Sequence, residues 1–135
     1  MLTSGTNSFA AIDIPISEDQ LPSASGRLLQ LPVAVTAVVP VYNLPEVQEM
    51  RLSSSTLASI FLGRITKWND PAIAKDNPGV ELPRMDIKVK HYFLNGGVDT
   101  YVMADYLSKV SPDFKATLGK SSGNWPLTSI SRYHS

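Results

Sequence analysis

Two places in this sequence of 135 residues put polar groups where chemistry could use them. The first is Asp13, which closes the short apolar run Phe9-Ala10-Ala11-Ile12 and is followed by Ile14-Pro15-Ile16. A carboxylate at the end of a strand stands at the crevice where α/β proteins hold their ligands. The same residue type also caps a turn or a following helix, and residue type alone leaves both readings open. The second place is Asn95-Gly96-Gly97, a turn between the alternating segment Ile87-Lys88-Val89-Lys90 and an apolar-periodic stretch that begins at Val98. Strand, glycine turn and helix in that order make the first backbone N–H groups of the helix available to an anion.

The remaining inventory excludes more than it suggests. His91 and His134 are the only histidines, and neither has a carboxylate or second histidine at ligand spacing, so no metal is expected. The sequence contains no Gly-x-Ser-x-Gly elbow, no phosphate loop and no dinucleotide glycine fingerprint, so neither an enzyme nor a bound cofactor is expected. With no cysteine in the chain, disulfides and thiol chemistry are excluded, and the compartment stays open. Twelve basic and twelve acidic side chains cancel, which leaves no electrostatic footprint for a nucleic acid. No run approaches the roughly 20 apolar residues of a membrane span, so direct membrane insertion is not expected. No basic segment followed by an apolar core marks a signal peptide near Met1.

Composition, at 43% hydrophobic and 18% charged residues, is that of a folded protein, and the length fits one domain over 1–135 with flexible ends at 1–7 and 127–135. The β-branched run over 31–42 (Val33, Val35, Val38, Val39, Val41) predicts one or two strands near the middle of a sheet. Met50-Arg51-Leu52 predicts a short strand. Ser53, Ser54 and Ser55 offer N-caps for a helix reaching about Leu62, with Leu57, Ile60 and Phe61 on one apolar face and Gly63 as the stop. Asp70 with Pro71 opens a second helix, which Asn77-Pro78-Gly79 ends. A strand over 87–90, a helix over 98–109 and a short helix opened by Ser111-Pro112-Asp113 complete an α/β pattern. Trp68, between two helices, is stabilising only when covered and marks the knot of a packed lobe.

The stretch from Ile60-Phe61-Leu62-Gly63-Arg64-Ile65-Thr66-Lys67-Trp68-Asn69-Asp70-Pro71 to Ala74, followed by Asn77-Pro78-Gly79-Val80, resembles the phosphate-binding proteins of bacterial phosphate ABC transporters. The likeness extends to Val38-Val39-Pro40-Val41-Tyr42-Asn43-Leu44-Pro45, to 106–115 and to Gly119-Lys120-Ser121-Ser122-Gly123-Asn124-Trp125-Pro126. The resemblance implies a periplasmic-binding-protein-like fold, here a single lobe with a mixed central sheet flanked by helices. It corresponds mainly to the second of the family's two lobes, and it implies a periplasmic or extracellular location.

What the resemblance implies about the site is specific. Asp13 matches a family aspartate that accepts a hydrogen bond from protonated phosphate, and an acceptor-only carboxylate disfavours sulfate, which has no proton to give. The family's arginine and the Asp-Gly-Ser-Gly-Thr loop after it correspond here to the stretch Phe93-Leu94-Asn95-Gly96-Gly97-Val98-Asp99-Thr100, and Asp13, Asn95, Gly96, Gly97 and Thr100 are the expected ligand set. Phe93 stands where the family has an arginine, Gly97 where it has a serine and Asp99 where it has a threonine. Losing a cation and hydroxyl donors weakens or abolishes phosphate binding. Two functions follow: an anion-binding lobe for phosphate or another small anion, or a sensory or protein-interaction module that keeps the fold without the site. The first calls for a partner lobe, the second for a homodimer or another protein partner.

Overall fold

Residues 9–16, 29–90 and 98–119 are described by the structure, a computed structural model. The chain divides into two units, Met1–Ala37 and Val38–Ser135. In the first unit, the side-chain amide of Gln30 brackets one residue, accepting from the Ile16 N–H at 2.8 Å and donating to the Ile16 carbonyl at 3.0 Å.

Among the described residues of the second unit are four helices: α1 (Ser54–Phe61), α2 (Pro71–Asp76), α3 (Val98–Val110) and α4 (Pro112–Thr117). Three of them start as their sequences dictate. Ser53 accepts from the Thr56 N–H, Asp70 from the Ala72 N–H at 2.9 Å and Ser111 from the Phe114 N–H at 3.2 Å, each satisfying an orphan donor of the first turn. Pro71 and Pro112 occupy first-turn positions that need no donor. Gly63, at φ 72°, takes the left-handed conformation after the last residues of α1, which a β-carbon would resist.

Helix α1 serves two apolar clusters. On one side Ala58 packs with Ala104 and Leu107 of α3 and Phe114 of α4, with Leu57, Phe61 and Leu62 at the margin. On the other, Ile60 joins Ile65 and Ile73, and Met50, Leu52, Trp68, Ile87 and Val89 close around them. The expected apolar face of Leu57, Ile60 and Phe61 is therefore real, but it divides between two cores. Trp68 is half-buried against the second cluster, as a tryptophan in a connecting segment requires. Its ring lies 6.5 Å from that of Tyr42, tilted by 59°.

The strands predicted from the sequence do not form among the described residues. Over 85–89 the backbone makes one antiparallel bridge, Lys67 with Asp86, flanked by Ile87 N–H to Thr66 O at 2.7 Å and Trp68 N–H to Met85 O at 3.0 Å. The alternation is nonetheless physical, because Ile87 and Val89 pack on the second cluster while Lys88 and Lys90 are exposed. Met50 and Leu52 likewise turn inward around an exposed Arg51 without a ladder. Residues 31–42 depart furthest from expectation: Val33 is 92% and Val35 98% exposed, and no backbone–backbone hydrogen bond among the described residues involves the segment. A β-branched run specifies a strand only where another strand meets it.

Candidate functional site

Helix α3 supplies the best-defined part of the expected site. Its position is fixed by Ala104 and Leu107, both 0% exposed, and by packing on α4 and α1. Polar ties reinforce this: the Ser108 hydroxyl donates to the Gly119 carbonyl at 2.6 Å, and the hydroxyls of Tyr106 and Ser54 meet at 3.0 Å. A helix of 13 residues held this way presents an N-terminus with partial positive charge at a fixed place. Asp99 lies in that first turn and is exposed, whereas Thr100 is 3% exposed and turned into the protein. The carboxylate of Asp99 therefore competes with any external anion for the helix N-terminus.

Of the other expected ligands, Asn95, Gly96 and Gly97 lie outside the described residues, as do Phe93 and His91. Asp13 is exposed, in a bend that follows Ile12, and residues 9–12 before it form no strand. It accepts no hydrogen bond from the described residues, so the turn-capping reading gains nothing there. Asp13 belongs to the first unit and Thr100 to the second.

Elsewhere in the second unit an open groove is lined by Glu46, Glu49, Asn69, Glu81 and Arg84 over an apolar floor that includes Val47. Three carboxylates against one guanidinium make it a poor seat for an anion. No group of three or more His, Asp or Glu side chains could hold a metal ion among the described residues. No helix among them is long and apolar enough to cross a membrane.

The polar residues that the sequence underplayed are Asp76 and Asn77. Asn77 is 4% exposed, and its side chain ties α2 to the segment before α1. Asp76 accepts from the Ser53 N–H at 2.8 Å, and that bond, seconded by the Thr56 hydroxyl, holds its carboxyl below the usual carboxylate range. Both belong to the scaffold. Their sequence signal, Asp-Asn-Pro-Gly, shows only the end of a helix.

Residues 1–126 match a family model described as a PBP superfamily domain. The chain is 46% identical over 124 residues to the phosphate-binding protein PstS of Pasteurella multocida, covering 90% of this chain and 35% of that protein. It is 40% identical over 128 residues to PstS of Xylella fastidiosa, covering 93% of this chain and 34% of that protein. Against PstS of Methanocaldococcus jannaschii the identity is 35% over 136 residues, covering 95% of this chain and 35% of that protein. The chain thus spans about a third of the length of these relatives. With the match running through nearly every described element, this chain belongs to the PBP superfamily.

Proposed function

We propose that this chain is an anion-binding lobe of the phosphate solute-binding type, with a weakened phosphate site, working in ABC transport outside the cytoplasm. The observation that carries the reading is the 46% identity to a phosphate-binding protein over 90% of the chain, with an aspartate at position 13. In this reading 1–135 is one lobe with a mixed central sheet flanked by helices, and a partner lobe supplies the other half of the clamp. The ligand groups of this reading are Asp13, an acceptor suited to the proton of the anion, and the backbone donors of Asn95, Gly96 and Gly97; the buried Thr100 hydroxyl supports the turn from within. Its task is capture, with no catalytic step. Weakness follows from Asp99, whose negative charge sits at the helix N-terminus that the anion needs.

Isothermal titration with phosphate at acidic and neutral pH, with sulfate as control, tests the proposal. Heat with phosphate and none with sulfate is expected. At ten times the dissociation constant, binding adds about 1.4 kcal/mol to stability, readable as a rise in Tm. Absence of both heat and thermal shift at millimolar phosphate sinks it and favours the second reading, a sensory or protein-interaction module. The exposed Asp99 carboxylate is the observation that supports that alternative.

A further inference from the structure

We draw no further inference here: the strongest candidate, the open groove in the second unit lined by Glu46, Glu49, Asn69, Glu81 and Arg84 over Val47, is an acidic cluster none of whose polar side chains is buried, and nothing in the structure shows what fills it.

Discussion

Asn77 satisfies both backbone groups of Arg51: its Oδ1 accepts from the Arg51 N–H and its Nδ2 donates to the Arg51 carbonyl, each at 2.7 Å. The same Nδ2 also donates to the Ile73 carbonyl at 2.8 Å. A single buried amide thus does for Arg51 what a neighbouring strand would do, and it does so from the C-cap of α2.

Truncating it leaves three backbone groups without their partner. At about 0.5 to 1.5 kcal/mol per hydrogen bond, Asn77→Ala is expected to cost about 2 to 4 kcal/mol, read from urea unfolding at constant m. Asn77→Asp keeps the shape but sets a carboxylate against two carbonyl oxygens, and is expected to destabilise at least as much. A loss below about 0.5 kcal/mol in Asn77→Ala, the range of an ordinary surface substitution, contradicts the role assigned to this amide.

The neighbouring Asp76 makes the scaffold acid-sensitive. Its carboxyl is lowered in the folded protein by the Ser53 N–H, so the unfolded chain, at about 3.9, binds its proton first as pH falls. Its stabilisation is therefore complete above about pH 5 and is lost as the pH falls through the folded value. Thermal unfolding of Asp76→Asn against the parent should show a lower Tm at neutral pH and a gap that narrows below pH 4. A gap independent of pH contradicts it.

Phe114, at 0% exposure, closes the cluster shared by α1, α3 and α4. Phe114→Ala is expected to cost about 3 to 5 kcal/mol. Val102→Ala, on the exposed face of α3 at 40%, should change stability by less than about 0.5 kcal/mol. Chemical denaturation of the two variants side by side distinguishes a real core from a loosely apolar surface.

What the sequence disclosed and what it withheld divide along the range of the interaction. Ser53, Asp70 and Ser111 bond donors two or three residues away, so their caps could be read from neighbouring letters. Gly63 and the apolar face of α1 are local in the same sense. Residues 31–42 have the composition of a strand, but a strand is defined by its partner, which no local pattern contains. The bond of Asn77 to Arg51 spans 26 residues and leaves no trace beyond a helix stop. At the site, Asp13 could be named from its place after an apolar run and from resemblance, but the structure sets it in a bend and not at a strand end. Thr100 could be named but not its burial, because the inward turn of that side chain depends on how α3 docks.

Asp99 offers the sharpest handle on the proposed anion site. In the first turn of α3 it is exposed, and its negative charge interacts favourably with the same N–H groups that would hold a phosphate. Replacing it by serine removes that competitor and supplies a hydroxyl donor, at a small expense in helix stability. A charge at a helix terminus contributes about 0.3 to 1 kcal/mol, so Asp99→Ser is expected to tighten phosphate binding roughly two- to fivefold while lowering Tm slightly. Titration calorimetry at low ionic strength reads the first effect, and raising the salt should shrink it, since the interaction is screened. Unchanged or weaker phosphate binding in Asp99→Ser would mean that the N-terminus of α3 is not where the anion sits.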